Sequence, residues 1–393
     1  MTSSRKRQPA PADASCPIRP LIGCAAPARA TRRFVQGAAS VTLRADRSEL
    51  VKDAETTLYS YARTGTAASR WTVTLHTGVS VDQSGADALF ADAEDRDIGP
   101  NLNARSIDLR GGRAFWIRDH AALVHLDHMA GSVTVHAGNL DSARFFAVRL
   151  VRQAMTAQLL EHDAVYAHTA ALVRADHGLL IAGPKGAGKT TTLLSILRLM
   201  GGDFVTNDRL LLRRDGDGTV GYAWPMHLRA TASTLRAVPG MTRFLPAEQQ
   251  LNRPAGPAPS GKIAIEPGEL RTVLPDMRLL GELRPTLMLW PYRSVSDLPA
   301  EPVPSAEVRD VLVRTQFFMH DPVTRATSHR NHWLLPPDRD RTALALTAVA
   351  DRLARTVPCV RIPVTDSPAA LAARVAGLLD HAAARVAGPG GRG

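Results

Sequence analysis

The run Gly183-Pro184-Lys185-Gly186-Ala187-Gly188-Lys189-Thr190 satisfies every fixed position of the G-x-x-x-x-G-K-[ST] pattern, the Walker A or P-loop signature. Such a loop does one kind of chemistry well. Glycines admit backbone conformations and close approaches that a Cβ would block. Bare N–H groups, backed by a helix N-terminus, then cradle phosphate oxygens. Lys189 is placed to reach the β- and γ-phosphates, and the Thr190 hydroxyl to ligate Mg²⁺. Gly183, Pro184, Lys185, Gly186, Ala187, Gly188, Lys189, Thr190 and Thr191 together read as the nucleotide-binding run, although Lys185 is not a fixed position of the pattern.

Phosphoryl transfer needs further groups: a carboxylate for the metal, a residue that orients or deprotonates the nucleophile, and cations for the developing charge. Asp208 is the best carboxylate, with Asn207 beside it able to hold a water or a substrate hydroxyl. His168 precedes the loop in sequence and is a candidate for tuning the site. Arg209 and Lys262 are candidate cations.

Elements must place these residues. Gly178 to Ala182 is a short apolar run, expected as a buried strand. Thr191 to Met200 carries Leu193, Leu194, Ile196, Leu197 and Met200 at helical spacing. Ala167 to Val173 reads as one strand carrying His168, turned back by Arg174 to Gly178 into the loop strand, so a hairpin precedes the loop. Asp203 to Asp208 reads as a strand ending in a carboxylate. Leu210 to Leu212 continues as a strand, and Asp215-Gly-Asp-Gly218 is a hairpin turn. Upstream, Trp71 to His76, Arg113 to Arg118, Ala121 to Leu126 and Ser132 to His136 predict an antiparallel β module. Phe145, Val148, Val151, Met155 and Leu159 predict a helix from about 140 to 161. Later helices are expected over 306–320, 341–355 and 367–386, with strands at 286–290 and 360–363.

The stretch Tyr166 to Leu212 resembles the HPr kinase/phosphorylase superfamily, and more closely the HPr-kinase-related proteins of peptide natural-product gene clusters. His168 matches their histidine, Gly183 to Thr190 their loop, and Asn207-Asp208 their acidic pair. A weaker likeness extends to Lys262 through Trp290 and to the C-terminal strand and helix. The resemblance implies an α/β fold: a P-loop nucleotide-binding core of the HPr kinase/PEP-carboxykinase-like type with a mixed sheet, preceded by a β-rich N-terminal module. It implies a cytoplasmic, ATP-dependent kinase with Mg²⁺ held by Thr190 and Asp208, and catalytic roles for Asp208, His168 and Lys189. Hexamers occur among the true HPr kinases, which keeps a homo-oligomer open. Two departures stand out. The first acidic position is Asn207, which puts base activation of a hydroxyl in question, and the phosphorylase-linked signature is missing.

The expected layout is a disordered basic tail over 1–32, the β module over 33–140, the kinase-like domain over 141–386 and a disordered end over 387–393. A further loose loop is expected over 251–261. The 393 residues and 45% hydrophobic content suffice for a sizeable core. A formal charge of +11 suits polyphosphate ligands and acidic partners. Aromatics at 5%, with no clustered basic run among them, argue against nucleic acid. Three cysteines without metal-ligand spacing fit a reducing compartment. No apolar run of membrane-spanning length occurs, and Pro and Asp interrupt any signal-peptide core. The reading is an ATP-dependent phosphotransferase acting on a hydroxyl of a peptide, protein or small molecule. The alternatives are an ATP-binding scaffold with little transfer, and an NTPase of another class.

Overall fold

The computed structural model describes residues 16–64, 69–99, 102–247, 261–296, 298–314, 334–335, 338–365 and 367–386. Expectations for 1–15, 251–260, 315–320 and 387–393 lie outside the described residues. The chain forms a mixed α/β structure. It begins with strands β1 (Ala30–Gln36) and β2 (Ala39–Ala45), helix α1 (Ser48–Thr57) and β3 (Ala62–Thr64). Next come β4 (Trp71–Thr77), α2 (Gln83–Leu89), β5 (Asp95–Gly99), β6 (Leu102–Leu109), β7 (Gly112–Ile117), β8 (Ala122–Asp127), β9 (Ser132–Ala137) and α3 (Leu140–Glu161). Two compact units result: Met1–Thr31, Leu43–Val51 and Trp71–Ala147 in one, and Arg32–Thr42, Lys52–Arg70 and Val148–Gly393 in the other.

In the first unit, β4 to β9 lie in the order β4-β9-β8-β7-β6-β5. Hairpins make β5 to β9 antiparallel, whereas β4 pairs parallel with β9. The module is therefore mixed rather than antiparallel. Its two ends are brought side by side by the whole intervening segment, a connection that parallel pairing requires. Residues 16–32 were expected to be tail, yet they hold a 3-10 turn, Arg19–Leu21, and part of β1. Ile18 and Leu21 are buried with Phe90 and Trp116, and Ile22 bridges Val81. Two apolar residues three apart on a single 3-10 turn are a signal too short to stand out from a Pro/Ala-rich background.

The second unit continues with β10 (Val165–Ala167), β11 (Ala170–Arg174), β12 (His177–Ile181), α4 (Lys189–Leu199), β13 (Asp203–Thr206), β14 (Leu210–Asp215) and β15 (Gly218–Ala223). Then follow β16 (Leu228–Ala230), α5 (Ala232–Ala237), β17 (Ile263–Ile265), β18 (Glu282–Leu283), β19 (Pro285–Arg293), β20 (Glu301–Val303), α6 (Ser305–Arg314), α7 (Arg339–Thr356), β21 (Cys359–Val364) and α8 (Pro368–Val386). Its main sheet has the order β13-β11-β12-β19-β21-β20. β12, β19 and β21 are parallel, and β11 is antiparallel to both β12 and β13.

Both faces of this sheet are covered, which explains why its strands read as continuous apolar runs rather than alternating ones. Leu179, Ile181, Leu287, Leu289 and Phe204 face a core shared with Leu193, Leu194 and Ile196 of α4 and Leu371 and Val375 of α8. Their sequence neighbours Leu180, Met288 and Val205 face the opposite core with Val308 of α6 and Val349 and Leu353 of α7. The period of two splits each strand between the cores.

Candidate functional site

The direction of the strands assembles the site. β12, β19 and β21 run parallel, so their C-terminal ends emerge on one edge. That edge is where open α/β sheets bind ligands. The loop Gly183–Gly188 follows β12, Arg293 ends β19, and Thr365 follows β21. β13 is antiparallel to β11, and β11 to β12. Asp208, just after β13, and His168, just before β11, therefore arrive at the same edge.

The three loop glycines Gly183, Gly186 and Gly188 have φ of 142°, 88° and 103°. Gly188 caps α4 in the left-handed conformation, and a Cβ there would stand 3.3 Å from Val364. Lys189 opens the helix and is buried, with Nζ donating to Gly183 O at 2.7 Å and Pro184 O at 3.2 Å. Among the described residues both hydrogen-bond acceptors of this ammonium are carbonyls, a state suited to exchange for phosphate oxygens. Burial lowers its pKa and Lys262 adds to that, while the Asp208 charge opposes it. Thr190 and Thr191 are half-buried, and Thr191 Oγ1 lies 3.2 Å from Thr234 Oγ1. Pro184, Lys185 and Gly186 are exposed.

Asp208 forms the centre of the remaining chemistry. His168 Nε2 is 3.1 Å from its Oδ1, and Arg209 Nε is 3.6 Å from its Oδ2. Burial works against the charged carboxylate, but the hydrogen bond and charge of His168, with Arg209 and Lys262, outweigh it. The carboxyl is held down to about 2. The charge of Lys262 acts on both Lys189 and Asp208. Asn207 is 5% exposed, and its Oδ1 has no hydrogen-bond partner among the described residues. A buried acceptor left open beside a carboxylate is suited to a ligand hydroxyl or water.

His168 does not lie on a strand, contrary to the single strand expected over 167–173. The chain leaves β10, which pairs with β14 in a separate four-stranded sheet, and enters β11 in the main sheet. His168 and Thr169 form the crossing. Buried Thr169 places its Oγ1 2.9 Å from Ile181 O and 3.0 Å from Ala170 O, which fixes the crossing against the end of β12. In the sequence the apolar residues run on through this break and hide it.

Other residues at this edge carried no sequence signal. Arg293 Nε donates to Gly186 O at 3.2 Å and so braces the loop from β19. A cavity of about 790 Å³ opens beside the loop, lined by Gly188, Thr191, Thr234, Arg293, Thr365 and Ser367 among others. Arg152 on α3 and Trp224 after β15 lie beside Arg209. All are far from the motif in sequence. Only the sheet order makes them neighbours.

No protein-family model matches the chain, and no curated protein matches it. Among solved structures, the HPr(Ser) kinase/phosphatase from Coxiella burnetii is similar over 57% of this chain and 99% of its own. The identity is 13% and the TM-score 0.28. No helix among the described residues is long and apolar enough to cross a membrane.

Proposed function

We propose that the protein is an ATP-dependent phosphotransferase that moves the γ-phosphoryl group to a hydroxyl. The observation that carries this reading is the His168–Asp208 pair, set at the same sheet edge as a glycine loop and a lysine that donates to two carbonyls. The sequence resemblance of 166–212 to HPr-kinase-related proteins supports it.

The residues fit a Mg²⁺–nucleotide. Lys189 has two carbonyl partners to exchange, Asp208 is held ionised, Asn207 Oδ1 is an open acceptor among the described residues, and Thr190 is half-buried. Mg²⁺, when bound, screens the phosphate charge, and Thr190 and Asp208 are the residues that would hold it. The loop N–H groups and the α4 N-terminus oppose the triphosphate charge. The neighbouring cavity is lined by Gly188 of the loop and Thr191 of α4 and has room for ribose and base.

In the transfer, the acceptor oxygen forms a bond to the γ-phosphorus as the bond to the bridging oxygen breaks. ADP leaves with that electron pair. With His168 Nε2 donating to Asp208, its Nδ1 is the acceptor that takes the hydroxyl proton. This gives the chain a base although Asn207 stands where the HPr-kinase-related proteins it resembles usually carry Asp. Late proton transfer in a loose transition state requires little more. Lys262 and Arg209 add positive charge where charge develops.

The test is transfer of label from γ-labelled ATP to components of a lysate, with Mg²⁺, by the full chain and by Lys189→Ala and Asp208→Asn. Label moved by the wild type and lost in both variants supports the reading. Lys189-dependent ATP binding without transfer to any component would replace it with a nucleotide-binding scaffold.

A further inference from the structure

The first unit carries a cavity that phosphoryl transfer does not use. Its strands β4 and β9 and the second half of β8 alternate in character. On one face Val73, Leu75, Val124, Leu126, Val133 and Val135 are buried. The other face is polar: Thr74, Thr134 and His125 lie in cross-strand register, and His76 lies beside His136. Such a face ordinarily meets water. Here the segment over 16–26 crosses it. Ile18 and Leu21 anchor that segment among Trp116 and Leu123, and His76 Nδ1 donates to Ala26 O at 2.9 Å. Between these anchors it leaves a cavity of about 890 Å³, with His125, Asp127, Thr134 and His136 on one side and Cys16 and Ile22 on the other. A cover that only packed would sit on apolar residues. A polar floor under a partly apolar roof suits a ligand.

The groups on the floor define what fits. His136 stacks on His76, with ring centres 5.2 Å apart and planes 13° from parallel. Its Nδ1 is buried with no partner among the described residues. An orphaned N–H costs more than an open lone pair, so the proton belongs on Nε2, the nitrogen left to serve the cavity. Burial, with His76 and His125 adding to it, pushes the ring down to about 4 and keeps it a neutral donor. The charged lining residues are Arg19, Arg110 and Asp127. Arg19 is engaged elsewhere. Asp127 accepts from Ala130 N at 2.9 Å and acts on the neighbouring His125. Among the described residues neither Asp127 nor Arg110 forms a salt bridge. The cavity thus offers one anion and one cation that are not joined to each other. Ile22, Leu109 and Met129 supply apolar wall, with Met129 87% exposed.

We propose that this cavity binds a small zwitterion with an apolar body, a free amino acid or a short peptide. Its ammonium pairs with Asp127 and its carboxylate with Arg110. Its remaining polar atoms meet Thr134 and the His136 N–H. A compound of one charge, or of none, leaves one or both wall charges unmatched. Nothing in this site depends on the glycine loop.

The probes are L-leucine and leucyl-leucine, with the N-acetyl and C-terminal amide derivatives of each, titrated calorimetrically into the full chain without nucleotide. At least one zwitterion should bind about tenfold or more tightly than both of its derivatives. Which one does so distinguishes amino acid from peptide. Asp127→Asn should erase the preference over the N-acetyl compound, and Arg110→Gln the preference over the amide, with the melting temperature as the check on folding. His136→Phe keeps a stacked ring and should weaken binding about threefold or more. Lys189→Ala should bind as the wild type does. The proposal is overturned if neither zwitterion binds at millimolar concentration, if the derivatives bind equally well, or if folded Asp127→Asn and Arg110→Gln keep both preferences. Loss of binding in a folded Lys189→Ala would also overturn it, by moving the ligand to the glycine loop.

Discussion

Asp208 concentrates the most consequence in one side chain. Its carboxyl sits at about 2 in the folded chain, below the roughly 4 of an unfolded aspartate. A depressed carboxyl contributes stability that is present above the unfolded value and lost as pH falls through the folded one. Acid titration followed by circular dichroism should therefore show Asp208→Asn losing less stability than wild type between about pH 5 and pH 2. In the transfer assay the same variant should fall by about a hundredfold or more. His168→Gln should slow transfer by about a hundredfold while leaving Mg–ADP affinity within about twofold, since a base acts on the acceptor and not on the nucleotide. If His168→Gln weakened ADP binding as much as transfer, its role would be in the cradle. Asp208 and the loop could be read from residue types alone. Arg152 could not, because nothing in its helical neighbourhood marks one arginine among many.

At the scale of elements, the strand–loop–helix unit depends on backbone that only glycine adopts cheaply. Gly188→Ala would force φ of 103° on an L-residue and press a methyl group toward Val364. The expected loss is about 1–3 kcal/mol, measured by urea unfolding, together with weaker ADP binding. Unchanged stability would mean that the loop can relax into another conformation. The helix over 140–161, the hairpin β11–β12 and the turn at 215–218 follow from local pattern and agree with the structure. The break at His168–Thr169 does not. Whether an apolar run continues in one sheet or crosses to another depends on which strands pair, and local propensity does not encode that choice.

At the scale of the molecule, residues from before position 71 complete the second unit. The Gln36 amide donates to Ala223 O at 3.1 Å and Gly281 O at 2.9 Å. The Gln158 side chain bonds both Ser40 N and Ser40 O, and the Tyr59 hydroxyl donates to Val205 O at 3.3 Å. A chain beginning at Val148 would lose these partners and leave buried carbonyls unpaired. It should show no cooperative melt under conditions where the full chain does. In the full chain, Gln36→Ala should lower stability by about 1–3 kcal/mol in urea unfolding. A chain from Val148 that melted like the full protein would show that these segments only decorate the unit.

The glycine loop, its lysine and threonine, the strand and helix that flank it, and a carboxylate near the end of the next strand can all be read along the chain. Each of these is set by bonds along the chain or by the periodicity of a single element. The tertiary structure alone decided that β13 pairs with β11 on the side away from β12, and that His168 stands at a crossing between two sheets. That order places Asp208 3.1 Å from His168 at the loop's end of the sheet. It also decided that Arg152, Arg209 and Trp224 meet. These contacts depend on strand order and direction, which are chosen by the burial of two whole cores and not by any short stretch of residues.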